Sequence, residues 1–524
     1  MFKRIALGSL CLISVAATAS AADAGAIKKR ALAGVESRAK LAQQINDTVF
    51  SFSELGYQEV ETSRYLTTLL EQNGFKVERG VAGIPTAWVA RWTNGTGGPV
   101  IALGSDIDCI PKASQKPGIP WHEPLIEGAP GHGEGHNSGQ AVNIVAALAV
   151  QDEMRRSNVA GTLMLWPGVA EELLGAKAYF VRDGVFKGVD AVIFTHVADN
   201  LAVSWGQPRG TGLVSVEYTF RGEAAHSAMA PWRGRSALDA VELMNMAWDK
   251  RREHLRPEQR SHYVITDGGD QPNVVPSVAS VWYYFREQTF DNIQKNYSIG
   301  NKIAEAAAAM TDTTVTRRVR GAAAPQHFNK PIAEAAERNV QAVGMPVWNA
   351  DEQAFAKAVQ KNLNAKEEGL ATKLEGLKPP QPEPLSGGSD DIGDVSWTVP
   401  TIVVRYPSNI PGLPGHHWAN AIAMATPIAH KGVVAGSKVV AMTTVDLMTS
   451  EKLRRSAQQY FTDVQTKDQK YVPVLTVEDR PTTEMNTDTQ GRYREQLKKF
   501  YYDSSKYDTY LDQLGVKFPT LTRQ

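Results

Sequence analysis

From residue 25 to about 208, hydrophobic residues come in short unbroken runs separated by longer stretches with helical spacing. The runs at 98–103, 161–166 and 190–195 are strand-length and apolar throughout, the pattern of strands buried on both faces of a sheet. The first runs into Gly104-Ser-Asp106-Ile-Asp108, the second stops shortly before Glu171-Glu172, and the third stops at His196. A long apolar helix is expected at 141–150, directly after Gly131-His-Gly-Glu-Gly-His136. Chemistry-bearing residues therefore gather just beyond C-terminal strand ends, where open α/β sheets assemble their sites.

The pattern changes at Arg209. Strands at 213–220, 262–266, 279–286 and 313–320, with helices at 236–252 and 290–310, give the β-α-β-β-α-β order of the split ferredoxin-like unit. A mixed stretch at 323–401 follows, containing the break Lys378-Pro-Pro-Gln-Pro-Glu-Pro384, and helical spacing resumes at 419–425 and 427–448. The second unit reads as an insertion into the first. The predicted fold class is α/β: a mixed, largely parallel sheet with helices on both faces, plus an inserted ferredoxin-like α+β domain. Expected boundaries are 1–21, 22–208, 209–321, 322–450 and a polar extension at 451–524 in which no chemistry is apparent.

Composition narrows the function classes. A chain of 524 residues exceeds what one core usually holds. With 42% hydrophobic and 21% charged residues and a mean hydropathy of -0.30, it has the make-up of a soluble globular protein. Lys+Arg and Asp+Glu both number 56, so no global field draws it to nucleic acid or an anionic membrane. Residues 1–21 read as a secretory signal, with Lys3 and Arg4, an apolar stretch at 5–17 and Ala19-Ser-Ala21 as the cleavage site. That stretch is shorter than the roughly 20 residues a membrane span requires. A periplasmic or secreted protein is expected, without stable membrane insertion. Cys11 falls in the leader, so the mature chain keeps only Cys109, which cannot form an internal disulfide and is expected as a small buried filler.

His132, Glu134 and His136 alternate with glycines, and residues two apart on an extended segment share a face, so two of the three can meet on one cation. Ala170-Glu171-Glu172 sets two carboxylates beyond a strand end. A hydrolytic di-metal site needs several nitrogen and oxygen ligands, one of them able to bridge, and a base beside the water. Glu134, His136, Glu172, His196 and His416 are the candidates. Singly each is weak, since a lone histidine is commonly structural and a Glu pair commonly sits at a helix N-terminus. Their shared position beyond strand ends carries the case for a metal hydrolase.

Five segments extend it: Ala129-Pro-Gly-His-Gly-Glu-Gly-His-Asn137, Ala170-Glu-Glu-Leu-Leu-Gly-Ala-Lys177, Ala225-His-Ser-Ala-Met-Ala-Pro-Trp-Arg-Gly-Arg-Ser-Ala-Leu-Asp-Ala240, His262-Tyr-Val-Ile-Thr-Asp-Gly-Gly269 and Pro272-Asn-Val-Val-Pro276. In this order they resemble the M20 metallopeptidases, specifically the amidohydrolase branch that contains the p-aminobenzoyl-glutamate hydrolases. The resemblance implies that His136, Glu172, His196 and His416 are metal ligands, His416 fitting better than its neighbour His417. It makes Glu171 the general base and Asp106 and Asp108 supporting residues. It also implies that His226, in a dimerisation (lid) domain, donates to an oxyanion in a neighbouring subunit's site, and that Asn273 and Arg286 engage the substrate's free carboxylate. Glu134 stands where relatives of this branch place a cysteine; a carboxylate is harder and can bridge. Two divalent metal ions, zinc or manganese, and a homodimer or higher homo-oligomer are expected.

The implied function is a metal-dependent amidohydrolase that cleaves the amide bond of an aryl-acyl or peptidyl amino acid with a free carboxylate. A dipeptidase or carboxypeptidase of the same fold is an alternative. So is a non-catalytic dimeric binding protein with a degraded metal site, although a binder has no use for Glu171.

Overall fold

The computed structural model describes residues 21–208, 210–380 and 387–523. The leader (apart from Ala21), Cys11 and 381–384 of the proline-rich break lie outside them. Alternation and apolar runs resolve into strands β1 (Lys76–Arg79), β2 (Trp88–Asn94), β3 (Val100–Asp106), β4 (Gly161–Gly168), β5 (Ala191–Ala198) and β6 (Ala202–Val203). The chain continues with β7 (Gly212–Arg221), β8 (Arg260–Asp267), β9 (Val278–Glu287), β10 (Thr314–Ala323) and β11 (Thr401–Pro407).

A seven-stranded sheet runs in the order β1-β2-β4-β3-β5-β11-β6. Its centre is parallel: Leu103 of β3 faces both Leu165 of β4 and Ile193 of β5, and Val404 of β11 faces Thr195. Strand β11, for which the pattern gave no signal, brings the chain back beside β5 after the whole of β7 to β10 has been traversed. The sequence 212–323 is therefore inserted between two neighbours of one sheet. Helix Gly139–Arg156 packs against β3, β4 and β5 and is buried almost throughout its first twelve residues, so it reads as apolar on every side rather than amphipathic. Its first residue must be glycine: a Cβ on Gly139 would lie 1.7 Å from Ser105 Oγ at the end of β3. This close approach sets the helix start, and the metal-capable loop before it, against the strand ends.

The inserted sheet is antiparallel in the order β10-β7-β9-β8, with helices Ala237–Arg252 and Phe290–Met310 packed on one face. Each helix has the N-cap its sequence offers: Ser236 accepts from Asp239 N and Thr289 from Asn292 N. Trp248, Val281, Tyr283 and Phe285 form the core beneath the helices. The alternate residues of β8 and β9, including Arg260, His262, Tyr284 and Arg286, turn to the other face and line a cavity shared with the first domain.

The extension after Glu451 is packed against both domains. Tyr471 Oη donates to Asp394 at 2.6 Å, Leu475 enters the inserted domain's core, and Glu484 pairs with Arg318 of β10. Farther on, Arg494 pairs with buried Glu54 at 2.7 Å, and Tyr510 packs on Phe50. No helix among the described residues is long and apolar enough to cross a membrane.

Candidate metal centre

The site lies where β3, β4 and β5 end. The loop before helix Gly139–Arg156 carries Glu134 and His136, separated by Gly135 at φ 115°, a backbone open in practice only to glycine. After β4 the chain makes a tight turn, Glu171–Leu173, flanked by Ala170 at φ 51° and Leu174 at φ 52°. Left-handed non-glycine residues cost free energy and persist only where neighbours impose them. Here the neighbours are visible: Ala170 N donates to buried Glu59 at 2.7 Å, and Glu172 N donates to Asp108 at 3.0 Å. His196 comes from β5, and His416, itself at φ 48°, from the loop after β11.

These elements bring all five expected ligands together. Glu134 Oε1 lies 3.3 Å from His196 Nε2, and its Oε2 lies 3.2 Å from His416 Nε2 and 3.6 Å from His136 Nε2. Glu172 Oε2 lies 3.4 Å from His416 Nε2, and Glu171 Oε2 lies 4.0 Å from His136 Nε2. Single ligand atoms of Glu134, His136, Glu171 and Glu172 all fall within 4.8 Å of one another. Tautomers are set from behind. His136 Nδ1 faces Asp108 Oδ1 at 3.3 Å and His196 Nδ1 faces the Val197 carbonyl at 2.8 Å, which directs both Nε2 lone pairs to the centre. Arg405 Nη1 also lies 3.3 Å from His196 Nδ1, but the shorter carbonyl contact requires a proton there, so Arg405 is a neighbour and not a donor.

Burial makes this a site of frustrated charge. Desolvation pushes the Glu171 carboxyl well above the usual range, and the charges of Asp106 and Asp390 add to it. Glu172 is raised by burial and by Glu134. Glu134 resists the same burial penalty and stays well below its ordinary value, held by His136, His196 and His416 in their protonated forms, which a bound cation would replace as the neutralising charge. Two buried atoms, His136 Nε2 and Glu172 Oε1, have no hydrogen-bond partner. Imidazole nitrogens and carboxylate oxygens in this mixture suit first-row divalent cations, and the orphaned atoms are what such cations would satisfy. The residues fit the group.

The remaining expectations divide. Asp108 contacts His136 and the Glu172 backbone, and Asp106 pairs with Lys177 Nζ at 2.6 Å while lying within 4.8 Å of ligand atoms of His136 and His196. His417 Nδ1 accepts from Ala419 N and caps a short helix, leaving His416 as the histidine at the centre. His132 does not join. The chain bends at Gly133, whose N–H returns to the Gly131 carbonyl at 2.8 Å, so the segment is not extended and His132 is buried against Phe50 and the Val49 carbonyl. Cys109 is a buried free thiol.

Arg286 lines a cavity of about 500 Å³ together with Glu134, Glu171, Glu172, His196 and His416. Neither His226 nor Asn273 lines it. Both are exposed on adjoining loops of the inserted domain, joined by a backbone bridge between His226 and Val274. Sequence reasoning missed the buried group behind Glu171, in which Lys177 contacts Asp106, Asp390 and Asp391. A lysine at the start of an apolar helix was its only local signal. Arg260 and His262, on the cavity wall, were missed as site residues too.

The inserted domain matches the family model described as a peptidase dimerisation domain, over residues 211–311. Fold and site together define a metallohydrolase of amide and peptide bonds. The chain belongs to the M20 peptidase family: it is 33% identical over 439 residues to a p-aminobenzoyl-glutamate hydrolase chain of Escherichia coli (strain K12), covering 79% of this chain and 90% of that protein. It is 26% identical over 455 residues to the Xaa-Arg dipeptidase of Mus musculus, covering 85% of this chain and 94% of that one. Among solved structures, the aminobenzoyl-glutamate utilization protein from Klebsiella pneumoniae shares the fold at TM-score 0.56 and 16% identity, across 79% of this chain and 96% of that chain.

Proposed function

We propose that the protein hydrolyses the amide bond of N-acyl amino acids, aryl-acyl or peptidyl, whose amine-side residue carries a free carboxylate. The observation that carries this reading is Glu171, a buried carboxyl 4.0 Å from the ligand set and facing the same cavity as Arg286. Glu134, His136, Glu172, His196 and His416 would hold two divalent ions, zinc or manganese, and Glu134 offers one oxygen toward His196 and the other toward His416. When bound, the ions supply Lewis acidity, acidifying a water and polarising the amide carbonyl. Glu171 takes the proton of the attacking water and hands it to the leaving nitrogen. Arg286, held by Ser389 Oγ at 2.8 Å, offers its fork to the substrate carboxylate.

The protein acts as a homodimer in this reading. His226 Nδ1 accepts from Ala228 N and Met229 N at 3.2 Å, so the outward Nε2–H is a donor available to a partner's substrate oxygen. Asn273 lies beside it. The same domain exposes Met229 and Trp232 (73% each) and leaves β8, with Val264 and Ile265 outward, as a free sheet edge, the surface a second copy would cover. The leader-like residues 1–21 support export to the periplasm or beyond, and N-terminal sequencing of the secreted form should begin at Ala22.

Glu171→Gln tests the chemistry. Metal content should match wild type while turnover of an N-benzoyl amino acid falls about 10²–10⁴-fold, the usual worth of a general base. A variant with undiminished turnover would remove Glu171 from the mechanism.

A further inference from the structure

Arg286, Ser389, Asp390 and Glu171 all line the cavity, and they form one run of contacts. Arg286 Nη1 donates to Ser389 Oγ at 2.8 Å, Asp390 follows Ser389 in the chain, and a carboxylate oxygen of Asp390 lies within 4.8 Å of one of Glu171. The proposed chemistry uses the first and last of these residues and leaves Asp390 without a role. Its place is nonetheless fixed from both domains. At the entry to the inserted domain, Thr211 N donates to the Gly388 carbonyl at 3.0 Å, and Thr211 Oγ1 lies 3.0 Å from Ser389 Oγ. On the other side, the fully buried Lys177 pairs with Asp391 and with Asp106 and stands 3.7 Å from Asp390 Oδ1. The acidic group of Asp106, Glu171 and Asp390 therefore already holds a cation, the lysine ammonium. Ile392 N also donates to Asp390 Oδ1, at 2.9 Å, while Oδ2 has no partner among the described residues.

We propose that Asp390 accepts the N–H of the scissile amide and so turns the lone pair of the leaving nitrogen toward Glu171. This rests on the amidohydrolase reading. In an N-acyl amino acid the free carboxylate and the amide nitrogen are bonded to one carbon, which sets the carboxylate carbon and the nitrogen about 2.5 Å apart. A carboxylate held by Arg286 therefore brings the N–H beside the residue that follows Ser389, with the carbonyl lying on toward Glu171. A planar amide nitrogen has its lone pair in conjugation. Attack of the water oxygen on the carbonyl carbon ends that conjugation and leaves the water's proton on Glu171. The nitrogen lone pair then takes this proton, and the C–N bond breaks with its electrons going to the departing amine. An ionised carboxylate only accepts hydrogen bonds, so Asp390 supplies no proton: it holds the N–H on one side while the lone pair meets Glu171 on the other. Positive charge grows on the nitrogen as the proton arrives, which makes the hydrogen bond to Asp390 charge-assisted and stronger than in the bound substrate. An interaction that strengthens on the way to the transition state raises kcat and leaves KM little changed.

The test replaces the N–H by oxygen. N-benzoyl-L-phenylalanine is paired with its ester counterpart O-benzoyl-L-phenyllactate, and N-benzoylglycyl-L-phenylalanine with the matching ester of L-phenyllactate. Turnover is measured in metal-loaded full-length wild type, Asp390→Asn and Asp390→Ala. For the amides, kcat should fall about ten- to a hundredfold in Asp390→Asn, the scale of a hydrogen bond to a charged group. It should fall at least as far in Asp390→Ala, which has no acceptor at all, with KM little changed in either. The esters have no N–H to lose, so their kcat should hold in both variants. Metal content should match wild type, because no candidate ligand is replaced. A merely structural role would move both members of each pair alike. Amide and ester turnover that fall in step, or amide turnover that does not fall, would overturn the role of Asp390 and leave the amidohydrolase reading standing. If wild type cleaves neither amide, that reading fails and the role of Asp390 falls with it.

Discussion

Glu134 shows what one residue changes. A cysteine at this position would offer a single sulfur; the carboxylate offers two oxygens, and they face His196 on one side and His416 with His136 on the other. Replacing it with alanine should drop bound metal below two ions per chain by elemental analysis. Glu134→Cys should keep metal and shift preference toward zinc, because thiolate is the softer ligand. Asp108 acts one step back, fixing His136 and the Glu172 backbone with its two oxygens. Asp108→Asn should weaken metal affinity about 10–100-fold, as losses of such outer partners do. His327 is a different kind of residue, half-buried beside Trp397 and Tyr460. Burial lowers its pKa from 6.5 to about 4, so the fold holds it neutral. Its contribution to stability is whole above pH 6.5 and is lost as pH falls from 6.5 through about 4, where the unfolded chain takes up the proton. A His327→Gln variant should show a shallower fall of Tm over that window; an identical slope would contradict the assignment.

At the scale of elements, the parts written in local periodicity were readable and those made by distant contacts were not. The strands β3, β4 and β5 announce themselves as apolar runs, and the helix expected at 290–310 spans Phe290–Met310. The alternation of His132, Glu134 and His136 misled in part, because the bend at Gly133 cancels the shared face that an extended chain would give. Strand β6 is two residues long and β11 follows a proline-rich stretch, so neither stands out from its surroundings. The extension after Glu451 looked inert because its partners lie hundreds of residues away. Its Arg494 neutralises Glu54, whose carboxylate also accepts from Glu61 N and Thr62 N and whose own carbonyl takes Cys109 N next to Asp108. Removing one partner of a buried pair strands the other charge, so Arg494→Met should cost about 3–5 kcal/mol in urea unfolding. Adding Glu54→Gln should recover part of that loss. A double variant as unstable as the single would show that the stranded charge is not the cause.

For the whole molecule, the proposed dimer would divide the labour between two protomers as well as between two domains. The first domain gathers the candidate ligands and Glu171, while His226 and Asn273 are exposed on the inserted domain and do not line their own chain's cavity. Ile265→Asp on the exposed β8 edge should therefore yield monomers in sedimentation and lose turnover while keeping its metal. Mixing separately inactive Glu171→Gln and His226→Ala chains should restore activity in the hybrid dimers, since one of their two sites is then intact. Failure of the mixture to recover any turnover would place His226 in the service of its own chain's site and not of the partner's. All of this depends on cations at the five-residue cluster. The most direct measurement is anomalous scattering from crystals of the protein loaded with zinc or manganese. Two peaks about 3.5–4 Å apart, between Glu134, His136, Glu172, His196 and His416, are the predicted result; an absence of density there, or metal bound only elsewhere on the chain, would contradict it.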